Sequence, residues 1–108
     1  MSRRLAWLIT GWASIELARA GHLYGRILEN GQPVRGAGVV LRCGGESPGG
    51  TTDPEGMYRL FAKTAGPCTL EVNAGGRRAV GQLYSYDKPT GYDFDLVQDG
   101  GRWILRRR

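Results

Sequence analysis

The chain has 108 residues, which suffices for one domain and is too short for two hydrophobic cores. Lysine and arginine number 15 against 10 acidic residues, so the formal net charge is +5. The 18 glycines are scattered among short apolar runs, which argues against a disordered chain and favours an all-β domain with many tight turns.

Residues 1–20 have the plan of a secretory signal peptide. A short basic start is followed by an uncharged, mostly apolar run over residues 5–15 and by small residues up to Ala20. The run is shorter than the roughly 20 residues that a membrane-spanning helix needs. The sequence therefore predicts cleavage between Ala20 and Gly21 and a periplasmic or secreted domain of residues 21–108, with no stable transmembrane segment after cleavage. The alternatives are a short helix packed on the domain and a wrongly assigned start of the chain.

Seven short strands follow at nearly regular spacing, and none of these segments has a helical period. The predicted strands are residues 22–28, 39–43, 56–62, 68–74, 79–86, 92–97 and 102–107. Residues 44–50 are predicted to form a flexible loop. The pattern predicts a seven-stranded antiparallel β-sandwich of the Ig-like or prealbumin-like class.

The two cysteines lie in predicted strands. Cys43 ends the second strand and Cys68 begins the fourth, each in register with inward apolar residues. An even cysteine count in a small exported domain indicates a disulfide, which would contribute roughly 3 kcal/mol by closing a loop of about 25 residues. The alternative is two buried free thiols. Two cysteines and one histidine are too few for a zinc site, and we predict no metal or other cofactor.

The segment TTDPEGMYRL combines a turn with the start of a strand. Asp53 suits the first position of a type I turn, Pro54 the second and Gly56 the fourth, and Tyr58 follows in the strand. The alternative is a calcium site at Asp53 and Glu55, but two carboxylates without a ligand-rich loop are a weak basis for one. We interpret the segment as structural.

This segment and its surroundings resemble a carboxypeptidase regulatory-like domain of the transthyretin-like (prealbumin-like) β-sandwich class. The resemblance covers roughly residues 23–72. The matching residues are Gly25, Gly31, Gln32, Pro33, Val34, Gly36, Ala37, Thr52, Asp53, Gly56, Tyr58 and Gly66. The resemblance implies a fold and use as a structural, adhesin-like, receptor-associated or carbohydrate-binding module. We expect the domain to stand alone in an exported bacterial protein, without an attached peptidase.

Two enzymatic interpretations are weak. GESPG matches the nucleophile-elbow pattern, but Pro48 follows the serine and lacks the N–H that an oxyanion hole needs. His22 invites comparison with hydroxyisourate hydrolase, a transthyretin-like enzyme with a histidine near the start of its first strand. That family uses further histidine and arginine positions and ends in Tyr-Arg-Gly-Ser, whereas this chain has one histidine and ends in three arginines. We predict that the protein is not an enzyme.

Aromatic side chains are the remaining candidates for a ligand surface. Tyr84 and Tyr86 share one strand face, and Trp103 lies in the last strand, although most aromatic residues are expected in the core. No second basic cluster with interleaved aromatics accompanies the basic C-terminus, so we predict no nucleic-acid partner. The sequence predicts a non-enzymatic binding or structural module of the cell envelope, with a protein or glycan partner. The alternatives are a carbohydrate-binding module and an accessory protein of a secretion system.

Overall fold

The computed structural model describes residues 21–108, so the predicted signal peptide, including Ala20, lies outside the described residues. Over that range the chain forms ten strands. They are β1 (His22–Glu29), β2 (Gln32–Pro33), β3 (Gly38–Arg42), β4 (Gly49–Thr51), β5 (Met57–Phe61), β6 (Gly66–Ala74), β7 (Arg77–Ser85), β8 (Thr90–Gly91), β9 (Phe94–Asp99) and β10 (Arg102–Arg107). None of the described residues belongs to a helix that could span a membrane.

The seven predicted strands all form, and the three additional strands are short. Strands β2, β4 and β8 have two or three residues each. Strand β4 lies partly within residues 44–50, where the sequence predicted a flexible loop. That prediction was wrong because glycine-rich backbone can still pair with a neighbouring strand, and Gly49 and Gly50 pair with Val40 and Val39.

The strands form two sheets. The first sheet has the order β10-β9-β1-β2, with β5 and β8 also paired to β1, and the second has the order β4-β3-β6-β7. Strand β1 is antiparallel to β5 but parallel to β8 and β9. The prediction of a purely antiparallel sandwich was therefore wrong at β1. The chain reaches β8 and β9 after crossing to the second sheet, and a crossover of this length allows a parallel pair where a hairpin cannot.

The core lies between the two sheets and follows the strand alternation. From the first sheet, Leu23 and Ile27 on β1 point inward, and Phe94 and Leu96 on β9 join them. The second sheet contributes Val39, Leu41, Leu70 and Val72. All eight are at most 2 % exposed, so each strand presents one apolar face to the interior and the other to solvent.

Gly25 marks a close approach of another segment to β1. A Cβ at this position would lie 1.8 Å from the carbonyl oxygen of Tyr92 and 3.1 Å from the ring of Tyr58. The Tyr58 hydroxyl donates to that same carbonyl at 2.7 Å. The glycine thus makes room for a bond that ties β5 to the segment before β9 across β1.

Candidate functional site

The Asp53 turn has the predicted geometry and serves the fold. The N–H of Gly56 donates to the Asp53 carbonyl at 2.9 Å, which closes the turn. The Asp53 carboxylate accepts from the N–H groups of Glu55 and Met57, both at 2.9 Å through one oxygen. Within residues 21–108 no three acidic, histidine or cysteine side chains come together as metal ligands. The arrangement supports a structural turn.

Tyr58 is a buried structural residue. Its side chain is 1 % exposed, and its hydroxyl is occupied by the Tyr92 carbonyl. Burial raises the pKa of the phenol well above its usual value, with the negative charge of Asp93 as a smaller cause. The residue therefore stays neutral and positions backbone.

The predicted disulfide between Cys43 and Cys68 is confirmed. It links the neighbouring strands β3 and β6 at the end of their ladder, with a Cα–Cα distance of 4.5 Å. The loop beyond it is tied down as well. The Glu46 carboxylate accepts from the N–H groups of Lys63 (3.0 Å) and Thr64 (2.6 Å), which lowers the pKa of Glu46. The GESPG segment is thus a loop at one end of the second sheet that these hydrogen bonds hold in place.

Tyr84 and Tyr86 form one exposed aromatic pair. Their ring centroids lie 4.7 Å apart on the outer face of the second sheet. The side chains are 44 % and 45 % exposed, which is high for tyrosine. The structure therefore brings together two of the three residues predicted as a ligand surface.

Trp103 lies elsewhere. It is half-buried at the inner side of β10, where it packs against the core. The Arg77 guanidinium carbon lies 4.7 Å from the centroid of its ring, and Arg77 also forms an ion pair with Glu29. Because a cation already covers one face of the indole, Trp103 is a weaker candidate for ligand stacking than the tyrosine pair.

Sequence reasoning missed a second aromatic group, here called the first-sheet cluster, made of His22, Tyr24 and Phe61. The His22 ring lies 5.6 Å from the Tyr24 ring and 5.9 Å from the Phe61 ring, nearly parallel to the latter at 16°. Tyr24 and Phe61 are 39 % and 41 % exposed. The outward alternation of each ring was readable, but only the β1–β5 register, which pairs His22 with Phe61, brings them together.

A pocket of about 310 Å³ lies on the same outer face of the first sheet. It is lined by Arg26, Leu28, Met57, Asp93 and Arg108. Arg26 and Met57 face each other across β1 and β5. The pocket thus combines apolar carbon with two guanidinium groups and one carboxylate, next to the first-sheet cluster.

The outer face of the second sheet has a different polar centre. The Glu71 carboxylate accepts hydrogen bonds from Arg78 at 2.9 Å, from Arg42 at 3.3 Å and from Asn73 at 3.4 Å. The Arg78 bond is the largest cause, with those of Asn73 and Arg42 adding to it, and together they hold the pKa of Glu71 at about 2. The two arginines are occupied, so this centre stabilises the sheet and leaves little charge for a ligand.

Comparison with known proteins identifies the fold. No family model and no curated protein matches the sequence. Among solved structures, the chain is similar to the 5-hydroxyisourate hydrolase of Klebsiella pneumoniae, with a TM-score of 0.58 and 21 % identity. The match covers 82 % of this chain and 98 % of that one. The likeness confirms the predicted fold class, a transthyretin-like β-sandwich, and at this identity it shows the fold alone.

Proposed function

We propose that this chain is an exported, non-enzymatic binding module of the cell envelope, built on the carboxypeptidase regulatory-like plan. The first-sheet cluster of His22, Tyr24 and Phe61 carries the proposal. Three contiguous rings leave a large part of their apolar surface exposed to solvent, and exposed aromatic groups of this kind are typical of recognition surfaces.

The disulfide supports export. A bond between Cys43 and Cys68 persists in oxidising compartments and is rare in the cytosol. The bond closes the strand ladder on the second sheet, and both cysteines are buried in the core. Its role is therefore to hold the scaffold, while the outer faces of the sheets remain available for binding.

Export and the disulfide are tested together by the intact mass of the full chain. The gene is expressed in a fractionated Gram-negative host, and the protein is weighed before and after reduction. We expect a periplasmic species that starts at Gly21 and gains two hydrogen atoms on reduction of the disulfide. A full-length cytosolic species with free thiols would overturn the proposal.

A hydrolase is the rival function, raised by the name of the structural neighbour. His22 is the only histidine among the 108 residues, and it packs between Tyr24 and Phe61. A single base without a partner acid or base is a poor catalytic set. Turnover of 5-hydroxyisourate is measured with the native protein and with His22→Ala. If the native protein turns over this substrate and His22→Ala does not, the protein is a hydrolase and our proposal is wrong.

The Tyr84–Tyr86 pair favours a second candidate, a carbohydrate-binding module that uses the second sheet. The 4.7 Å ring separation offers one continuous apolar surface for a sugar ring. Titration with a panel of neutral oligosaccharides tests it, with Tyr84→Ala and Tyr86→Ala as variants. The carbohydrate-binding candidate is supported if the native protein binds an oligosaccharide and both variants lose that binding.

A further inference from the structure

Along β1, the side chains on the outer face of the first sheet change from aromatic to cationic. Register pairs His22 with Phe61, Tyr24 with Arg59, and Arg26 with Met57. Successive rows on one face of a strand lie about 7 Å apart. A ligand that runs along β1 would therefore meet aromatic rings first and guanidinium groups next.

The arginines of this face carry more positive charge than the nearby carboxylates neutralise. They are Arg26, Arg59, Arg106 and Arg108, against the aspartates Asp93 and Asp95. Within residues 21–108, only Arg108 of these four lies within ion-pair distance of a carboxylate, at 3.3 Å from Asp95. Asp93 instead accepts a backbone N–H, that of Arg26, at 2.9 Å. Three guanidinium groups thus remain available to an anion.

The pocket joins the two halves of this face. Leu28 and Met57 supply apolar carbon, and the two guanidinium groups of Arg26 and Arg108 outnumber the one carboxylate, that of Asp93. Met57 faces Arg26 across the strands, one row beyond Tyr24 and Arg59. A flat ring with an anionic substituent fits such a surface, since the ring can contact carbon while the substituent meets a guanidinium.

We propose that the outer face of the first sheet binds an acidic polysaccharide, an inference that rests on the binding-module function. Sugar rings stack on Tyr24 and Phe61, and carboxylates of the same polymer pair with Arg26 and Arg59. Charge complementarity selects an acidic polymer over a neutral one. The rings also distinguish this face from a purely electrostatic one, because they contact the apolar faces of sugars whatever the salt concentration.

The test uses the oxidised mature protein and polygalacturonate, with the same polymer methyl-esterified as the uncharged match. Calorimetric titration should show binding to polygalacturonate that weakens as salt is raised, and about tenfold weaker binding to the ester. The double variant Arg26→Gln/Arg59→Gln should weaken binding by about tenfold or more. Phe61→Ser should also weaken it. Arg42→Gln, on the outer face of the second sheet, is the matched charge control and should bind as the native protein does. Tyr84→Ser tests the second sheet in parallel.

Each other outcome overturns the inference in a distinct way. Equal affinity for the ester removes the acidic class but leaves a glycan-binding face. Binding that fails in Tyr84→Ser and survives in Phe61→Ser places the site on the second sheet. Tighter binding to single-stranded DNA or to anionic phospholipid vesicles assigns the face to that ligand instead. If no polymer binds, the inference falls, while the mass experiment still decides the proposed export and disulfide separately.

Discussion

The hydroxyl of Tyr92 bonds to both backbone polar atoms of Tyr84, accepting from the N–H at 3.2 Å and donating to the carbonyl at 2.9 Å. Tyr84 lies on β7, the edge strand of the second sheet, opposite Pro67 on β6. Tyr92 precedes β9 of the first sheet. One phenol therefore completes the hydrogen bonding of an edge residue and links the two sheets at that point.

Replacing Tyr92 with phenylalanine removes this link with little change in shape. We expect Tyr92→Phe to lower the free energy of unfolding by about 1–2 kcal/mol, because two backbone groups lose their partner. Urea denaturation measures the change. Tyr86→Phe is the control, since that exposed side chain should alter stability by no more than about 0.5 kcal/mol. Equal midpoints for the two variants would show that water replaces the Tyr92 hydroxyl without cost.

Tyr58 should resist ionisation for as long as the fold persists. Burial raises its pKa, so above pH about 10 the unfolded chain loses this proton while the folded chain keeps it. The unfolded state then binds fewer protons, and stability falls as pH rises through that range. Phenolate absorbance is recorded against pH for the native protein and Tyr58→Phe. The two native curves should coincide, and in denaturant they should differ by one tyrosine. A difference between the native curves would contradict the burial.

Glu71 should give the protein stability that acid removes. Its folded pKa of about 2 lies below the ordinary value of 4.5, chiefly because of Arg78, with Asn73 and Arg42 adding to it. The stabilisation that the ionised Glu71 gives the folded state is fully present above pH about 4.5, and it is lost as the pH falls towards 2. We therefore expect Glu71→Gln to lower the Tm at neutral pH. The difference in Tm between this variant and the native protein should become smaller as the pH falls from about 4.5 to about 2. Glu55→Gln, on the exposed turn, should show no gap. A gap independent of pH would contradict the assignment.

The disulfide should stabilise the fold by constraining the unfolded chain. Because Cys43 and Cys68 are 25 residues apart, the double variant Cys43→Ala/Cys68→Ala should lose about 3 kcal/mol. Urea denaturation of the oxidised protein, the reduced protein and the double variant measures it. The reduced protein should resemble the variant. A loss below about 1 kcal/mol would show that the β3–β6 ladder already restrains these ends in the unfolded state.

Gly25→Ala should prevent folding. The new Cβ would lie 1.8 Å from the Tyr92 carbonyl, a backbone atom that cannot rotate aside. We expect loss of the soluble folded species, followed by circular dichroism. Gly38→Ala is the matched control, because nothing lies within 4 Å of its Cβ, and it should change stability by no more than about 0.5 kcal/mol. A folded Gly25→Ala protein would show that the segment before β9 can move away from β1.

Much of this fold was predictable because it depends on local chemistry. Strand alternation placed Cys43 and Cys68 inward, and the types of residue at Asp53, Pro54 and Gly56 indicated their turn. The parallel pairing of β1 with β9 was not predictable in this way. It depends on which distant strand fills the space beside β1, and two-residue periodicity carries no information on strand order.

The candidate sites differ in the same way, since some follow from residue spacing along one strand and others depend on how distant strands pair. Tyr84 lies near the end of β7 and Tyr86 directly follows that strand, so the two-residue alternation alone placed their rings together. His22 and Phe61 meet only through the register of β1 with β5, which residue spacing did not reveal. Trp103 was proposed from its place on a strand alone. The Arg77 guanidinium lies over its ring because β10 packs near the start of β7.

The central position of β1 also bears on when the domain can fold. The first described strand pairs with β5 on one side and β9 on the other, and Arg26 bonds to Asp93 across 67 residues of sequence. A ribosome must therefore complete nearly the whole chain before the first sheet can assemble. Such long-range pairing slows folding and keeps the first sheet from assembling until its last strands have been synthesised. For the export proposed above, this late assembly of the first sheet is an advantage, because a translocation channel accepts unfolded chains.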